Sequence, residues 1–471
     1  MARGAQGLVW VLFAAGCAQV AGGSSSVDPS TPKPELQSLQ PAVGPTTGGE
    51  TITIRGANFP KDALVRWNGV LGENIKVVSS SEITATLPAS SAVGKVTVTL
   101  SSAAGQEASR EDLFAYYYGQ IDFDDMTVLS TGSGPKDVIL ADLDGDQRID
   151  LLTANALDSS LSLFVGQQGG TFAAVQRVDL PSSPDALTIK DVDADSRPDL
   201  LIAAGSANRV YTLRNTGMSG AGLFSLAATT QVGQSPFAIA TADFNGDGRV
   251  DAVVANRGTN SLSVLLNKGG AMWDTPQTVA TTSLLAGIAV GDINKDGRAD
   301  VVVSSYQDNT VQLFSNNGSG TLTQVGQGLM VGSGPTGVSL YDFNKDGLLD
   351  LAAVCENTGG VSLLLGQSGG SFASAQNYPT AAYPSMALAD DLNGDGRTDL
   401  IVLSGGTRGS LTILPGQGDG TFVSGASSQR IALSISPSAF TIADIDGDGK
   451  LDVAVVSQSG NKAVILRNQS R

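Results

Sequence analysis

An acidic nonapeptide with carboxylate or amide side chains at positions 1, 3, 5 and 9 occurs seven times in this chain of 471 residues. Its first Asp recurs at intervals of 49, 52, 49, 50, 49 and 53 residues. A period near 50 restricts the fold severely, because each repeat must be a small supersecondary unit that buries its apolar face against the next copy. The best-formed copy is D-I-D-G-D-G-K-L-D, Asp444–Asp452. Upstream stand D-L-D-G-D-Q-R-I-D from Asp142, D-V-D-A-D-S-R-P-D from Asp191 and D-F-N-G-D-G-R-V-D from Asp243. D-I-N-K-D-G-R-A-D from Asp292, D-F-N-K-D-G-L-L-D from Asp342 and D-L-N-G-D-G-R-T-D from Asp391 complete the series.

The chemistry of this spacing is that of a hard cation. Ca²⁺ takes roughly six to eight oxygens, and residues 1, 3 and 5 of a tight loop can all turn inward. Position 6 needs a positive φ, which Gly adopts without a Cβ clash; position 7 offers a carbonyl and position 9 returns from the next strand. The candidate metal ligands are Asp142, Asp144, Asp146 and Asp150; Asp191, Asp193, Asp195 and Asp199; and Asp243, Asn245, Asp247 and Asp251. They continue with Asp292, Asn294, Asp296 and Asp300; Asp342, Asn344, Asp346 and Asp350; Asp391, Asn393, Asp395 and Asp399; and Asp444, Asp446, Asp448 and Asp452. Up to seven structural Ca²⁺ ions are expected. The loops from Asp243, Asp391 and Asp444 are the best formed. The loop from Asp142 carries Gln147 at position 6, and that from Asp191 carries Ala194, Ser196 and Pro198 in place of the favoured turn residues.

An EF-hand shares positions 1, 3, 5 and 6 but requires Glu at position 12 and flanking helices. Position 12 here is Thr153, Ile202, Val254, Val303, Ala353, Val402 or Val455, which excludes it. Solvated turns that bind nothing are disfavoured, because three or four carboxylates within a few ångströms repel one another.

The loops also explain the charge. Asp at positions 1, 3, 5 and 9 supplies 24 of the 45 acidic residues, so seven divalent cations would reduce the formal charge of −17 to about −3. The acidity argues against a nucleic-acid partner. Histidine is absent, which removes imidazole bases, Ser-His-Asp and Cys-His catalysis and most zinc sites. Gly366-Gln367-Ser368-Gly369-Gly370 matches G-x-S-x-G, but it lies in a strand-to-strand turn with no base available. Cys355 reads as buried packing at a strand end, and two cysteines cannot form a disulfide framework.

Around each loop the same elements recur. Pro135, Pro184, Pro236, Pro335, Pro384 and Pro437 stand seven residues before the first Asp, with Leu285 the exception. A strand runs into the loop, a second leaves it, a third follows a polar turn, and a Gly-rich turn leads through Phe172 or Phe422 to a fourth. Four short strands per repeat predict a β-propeller of seven blades. The seventh repeat stops after its third strand, so residues 121–129 are expected to supply its outer strand and close the ring. The longest insertion lies near Arg214–Phe224.

Upstream, residues 1–16 have the pattern of an export signal: Arg3, an apolar run from Leu8 to Phe13 and small residues before Cys17. The ending Ala14-Ala15-Gly16-Cys17 resembles a bacterial lipobox, with Ala14 where that motif prefers Leu. The resemblance implies a lipid on Cys17, a membrane anchor and a bacterial surface location; signal cleavage with release into the periplasm or medium is the alternative. Residues 17–34 read as a flexible tether.

Residues 35–118 alternate polar and apolar in Thr51-Ile52-Thr53-Ile54 and Val96-Thr97-Val98-Thr99-Leu100. With P-A-V-G-P-T-T-G-G-E-T-I-T-I-R-G-A-N-F, V-R-W-N-G-V and the closing F-A-Y-Y-Y, this segment resembles an IPT/TIG immunoglobulin-like β-sandwich. Trp67 is expected in its core, and Tyr116–Tyr118 in its last strand. Residues 119–471 resemble the FG-GAP/VCBS repeats of integrin-α-like propellers. The two resemblances imply an all-β chain, an Ig-like sandwich followed by a seven-bladed propeller with Ca-binding loops. They imply non-catalytic recognition or adhesion toward an extracellular protein or glycan; a polysaccharide-acting enzyme or lectin on the same scaffold is the alternative.

Overall fold

The computed structural model describes residues 32–470, apart from 92, 118–120, 125, 219–221, 282–283, 407 and 425–427. The expected signal, Cys17 and most of the tether lie outside the described residues, as does Tyr118. The chain divides into two compact units. One holds Gly48–Pro88, Lys95–Phe114 and the described residues before Val43; the other holds Val43–Thr47, Ala89–Gly94 and the described residues from Ala115 onward. No α-helix occurs among the described residues.

In the first unit, one sheet has the order Glu35–Gln40, Thr51–Ala57, Glu82–Thr86 and Glu73–Ser79; a second has Glu107–Arg110, Val98–Ser101, Leu64–Trp67 and Val70–Leu71. Alternation does the sorting. Ile52, Ile54, Ile83, Val65, Val98 and Leu100 are fully buried while their strand neighbours face out. Trp67 is 1 % exposed and meets Phe114 edge-on with ring centroids 6.1 Å apart, so it is a core residue. Ala115–Tyr117 and Val43–Pro45, both assigned to the second unit, pair in parallel.

The second unit contains seven antiparallel four-stranded sheets, one for each acidic loop. The second strand of each is six residues long and wholly buried: Asp150–Asn155, Asp199–Ala204, Asp251–Asn256, Asp300–Ser305, Asp350–Cys355, Asp399–Ser404 and Asp452–Ser457. Their near-continuous apolar sequence follows from burial on both faces. One face of each sheet packs on the preceding repeat and the other on the following one. Leu152 and Leu161 of the first repeat share a cluster with Leu200 and Ile202 of the second. Six further clusters join the successive repeats, and the last of them packs Ala454, Val456 and Ile465 against Val138, Leu151 and Phe164. The final repeat thus meets the first. The initial strands follow the same path, with Ala439–Ala443 lying beside Pro135–Ala141. Ser438 Oγ donates to the Pro135 carbonyl at 2.8 Å. These sheets fit a β-propeller.

The last sheet draws its fourth strand from far upstream. Thr127–Ser130 pairs antiparallel with Lys462–Leu466, in register Thr127↔Ile465 to Ser130↔Lys462. The expected closing strand is present but shorter than residues 121–129. Ile121 is 4 % exposed and packs with Leu392 and Leu433 instead of pairing in the ladder.

A buried asparagine ties several repeats to the one before. Asn215, Asn267, Asn316 and Asn468 follow or end the third strand and are at most 2 % exposed. Their Nδ2 groups donate to the carbonyls of Leu143 (2.7 Å), Val192 (2.8 Å), Phe244 (2.9 Å) and Leu392 (3.4 Å), each at position 2 of the preceding acidic loop. Gly166, Gly366 and Gly416 replace this Asn elsewhere, and a Cβ there would come within 2.3 Å of a backbone oxygen.

Three substitutions test this reading. Ile465→Ala at the seam should cost about 2–4 kcal/mol in urea unfolding, whereas Val128→Ala, at an exposed position of the closing strand, should cost under about 0.5 kcal/mol. Equal effects would argue against a packed seam. Asn267→Ala should cost about 2–3 kcal/mol, because it strands buried carbonyls and the N–H of Gly269.

Candidate metal centre

Each acidic loop closes on its own side chains. The position 1 carboxylate gathers backbone N–H groups from inside the loop. Asp444 Oδ1 accepts from Gly447 at 2.8 Å and Asp448 at 3.1 Å, and Oδ2 from Gly449 at 2.9 Å. Asp391 repeats the pattern with Gly394, Asp395 and Gly396 at 2.7, 3.0 and 2.7 Å, as do Asp142 and Asp243. Asp191, Asp292 and Asp342 hold the N–H groups of positions 5 and 6. Position 3 accepts the position 5 N–H in six loops, and position 5 accepts the position 7 N–H in all seven. These are Asx-type turns, made by short side chains that reach the next backbone donors.

Two positions in the loop require the left-handed region. Position 6 has φ from 66° at Gln147 to 85° at Gly449, as the sequence led us to expect. Position 4 has it too, from 58° at Lys345 to 82° at Gly145. A non-Gly residue costs roughly 1–2 kcal/mol there. The loops from Asp243, Asp391 and Asp444 have Gly at both positions, whereas the loop from Asp191 carries Ala194 and Ser196.

Position 9 is the best-buried carboxylate of each loop. Asp150, Asp199, Asp251, Asp300, Asp350, Asp399 and Asp452 are at most 3 % exposed. One oxygen accepts the position 2 N–H of its own loop at 2.8–3.3 Å. The other accepts an N–H at the end of the third strand, from Gly166, Asn215, Asn267, Asn316, Gly366, Gly416 or Asn468, at 2.7–3.0 Å. Each oxygen has a lone pair left for a cation. Burial pushes Asp399 up to about 7 and Asp150 and Asp452 up to about 6, against the backbone bonds that favour the charged form. It raises the other four as well.

Carboxylate oxygens converge in the three loops that have Asp at position 3. Asp142, Asp144 and Asp146 bring one oxygen each within 4.8 Å of the others, and so do Asp191, Asp193 and Asp199, and Asp444, Asp446 and Asp452. In the loops from Asp243, Asp292, Asp342 and Asp391, position 3 is Asn, which replaces one charge by a neutral oxygen. Position 1 is half-buried in all seven loops. This donor set of oxygens alone, carried on a tight turn, suits a hard cation in the size range of Ca²⁺.

Arginines around the loops escaped the motif. Arg148, Arg197, Arg249 and Arg298 at position 7 pair with the position 5 carboxylate and donate Nε to a carbonyl at the end of the third strand or just beyond, at 2.8–3.1 Å. Arg214 and Arg467 reach position 3 of their own loops, pairing with Asp193 and Asp446. Arg at position 7 in five of seven loops was visible in the sequence. The pairing with position 3 was not, because 21 residues separate each pair.

The FG-GAP-like repeat family matches residues 191–254, 243–303, 296–353 and 391–455, leaving the loop from Asp142 outside, and the IPT/TIG domain matches residues 34–116. No curated protein matched the chain. Among solved structures, BBS1N in complex with ARL6DN, soaked with lead, superposes with a TM-score of 0.52 at 16% identity, covering 74% of this chain and 97% of that one. The mercury-soaked form gives 0.53 at the same identity and coverage. An auxiliary nutrient binding protein from Bacteroides ovatus ATCC 8483 gives 0.40 at 12% identity, covering 94% of this chain and 100% of that one. The chain is an FG-GAP-like repeat protein with an N-terminal IPT/TIG domain.

Proposed function

We propose that the chain is an exported, non-catalytic recognition protein whose seven-bladed propeller is stabilised by Ca²⁺ in its acidic loops. The observation that carries this reading is the position 9 carboxylate, buried beside the other acids of its loop and raised by burial in all seven repeats. Without a cation these groups oppose one another's charge; with one, the same oxygens become a coordination shell. Asp142, Asp191, Asp243, Asp292, Asp342, Asp391 and Asp444 would hold the ion from position 1, with positions 3, 5 and 9 around it. The bound ion supplies charge neutralisation and cross-links the two strands that flank the loop.

A structural role for the ion is supported by repetition. A catalytic metal is expected once, with an open coordination position, whereas these loops recur through the ring with near-identical hydrogen bonds. The absence of histidine supports the non-catalytic reading. Both domain types suit an extracellular or surface protein. A lipid on Cys17 would anchor it to a membrane, and the partner is an extracellular protein or glycan.

Thermal melting of Ca²⁺-loaded protein tests the ion. At tenfold excess over Kd each site contributes about 1.4 kcal/mol, so seven give on the order of 10 kcal/mol. EDTA should lower Tm by about 10–20 °C, and added Ca²⁺ should restore it. An unchanged melt would sink the structural-calcium reading. Asp391→Ala should remove one ion from the stoichiometry measured by calorimetry while the remaining loops still bind.

A further inference from the structure

The ends of the hairpins away from the acidic loops carry a different chemistry. Pro135 pairs with Asn155 while Ala141 pairs with Asp150, so the start of the first strand and the exit of the second lie together, roughly 20 Å from the loop. Two places in each repeat face this end. One is the residue after the strand-opening Pro or Leu; the other is the sixth residue after position 9. In the first five repeats six of these ten places hold Lys136, Asp185, Phe237, Arg257, Tyr306 and Glu356, and Ala156, Gly205, Ala286 and Thr336 fill the other four. In the last two, Ser385, Gly405, Ser438 and Gln458 stand there, so charge and aromatic character collect on one arc of the ring.

That arc is hollow. A cavity of about 330 Å³ is lined by Lys136, Asp185, Phe237, Arg257 and three serines, Ser183, Ser206 and Ser235. A second, of about 300 Å³, is lined by Arg257, Leu284, Tyr306, Thr336 and Glu356. Arg257 belongs to both.

The charged groups of these cavities are matched, with one exception. Lys136 Nζ lies 2.5 Å from Asp185 Oδ1, and Asp185 Oδ2 accepts from the Gly205 N–H at 2.8 Å. The Tyr306 hydroxyl donates to Glu356 Oε2 at 3.0 Å. Arg257 lies over the Phe237 ring with Cζ 4.3 Å from the centroid, and its Nε donates to the Leu285 carbonyl at 3.2 Å. Those two contacts fix the plane of the guanidinium. Its terminal NH groups form no ion pair among the described residues, the Asp185 carboxylate acts on the guanidinium only from beyond ion-pair distance, and the residue is exposed although burial lowers its pKa. A planar fork held in place and open at its tip is built for a carboxylate.

We propose that these paired cavities bind a carboxylate-bearing saccharide, with a uronate group on Arg257 and the hydroxyls of adjoining sugar units on the serines and on Glu356. The first cavity carries a net single positive charge beside hydroxyls, which complements one anionic group on a polyhydroxylated frame. Two small adjoining spaces that share one arginine suit linked units of similar size. An acidic peptide fits less well, since peptides are commonly held by main-chain pairing to a sheet edge, and strand ends and turns surround these cavities. The proposal rests on the recognition reading and gives it a ligand class.

Calorimetric titration of the Ca²⁺-loaded full chain with trigalacturonate, maltotriose and triglutamate tests it. Trigalacturonate should saturate one site, and maltotriose and triglutamate should bind at least about tenfold more weakly. Arg257→Gln should weaken trigalacturonate by about tenfold or more while the melt falls by only a few degrees, and Tyr306→Phe, which keeps the ring, should weaken it by a smaller factor. No saturation by trigalacturonate, equal affinity in Arg257→Gln, or tighter binding of triglutamate overturns the site. The calcium melt separates the two readings: an EDTA-sensitive melt with no uronate binding removes this site alone. Cleavage of trigalacturonate during the titration would overturn the non-catalytic reading while leaving the cavities as the place of binding.

Discussion

The aspartate at position 9 is the point from which the rest of each repeat is hung. Its two oxygens accept one N–H from the loop and one from the end of the third strand, so a single side chain fixes three elements. An amide at this place could accept with only one of its two terminal atoms, and a shorter or apolar residue with none. The arrangement concentrates negative charge where water is excluded, which is costly unless something positive answers it. Part of the answer is in the chain. Arg148, Arg197, Arg249 and Arg298 hold the outer oxygen of position 5, and Arg214 and Arg467 hold position 3. The remaining part would come from the proposed cation.

The same tie connects neighbouring repeats. In four of them the N–H donor to position 9 is an asparagine, and its side-chain amide reaches the preceding loop. Each such loop is therefore braced by its own sheet and by the sheet that follows. Where Gly166, Gly366 and Gly416 take over, backbone approaches closely in place of the amide. Stability in this ring is a property of contacts between repeats, as expected when no single sheet can bury both of its faces.

Much of this architecture is written in local pattern. The spacing of Asp142 through Asp444, the Pro that opens most first strands and the six-residue apolar second strands each depend on neighbours within one repeat, and all are legible. Position 4 was harder to read. Lys295 and Lys345 look like ordinary outward-facing lysines, but their backbones are left-handed at 61° and 58°, a demand visible only once the turn is built. The partnership of Arg214 with Asp193, and the gathering of Lys136, Arg257 and Glu356 on one arc, depend on which strands lie side by side. The closing strand was inferable because the seventh repeat lacked one. Its span shifted to Thr127–Ser130 because Ile121 has a better place in the core.

The pairing of Thr127–Ser130 with Lys462–Leu466 also has a consequence in time. A ribosome releases one partner more than 330 residues before the other, and at about 5–20 residues per second that gap lasts roughly 15–70 s. Through that interval the last sheet does not exist, the first repeat has no neighbour on one side, and apolar faces such as that of Leu151 and Phe164 stand uncovered. The ring can be completed only after the strand Lys462–Leu466 has been made. Until then the unclosed repeats lack the seam that the finished ring uses to resist unfolding.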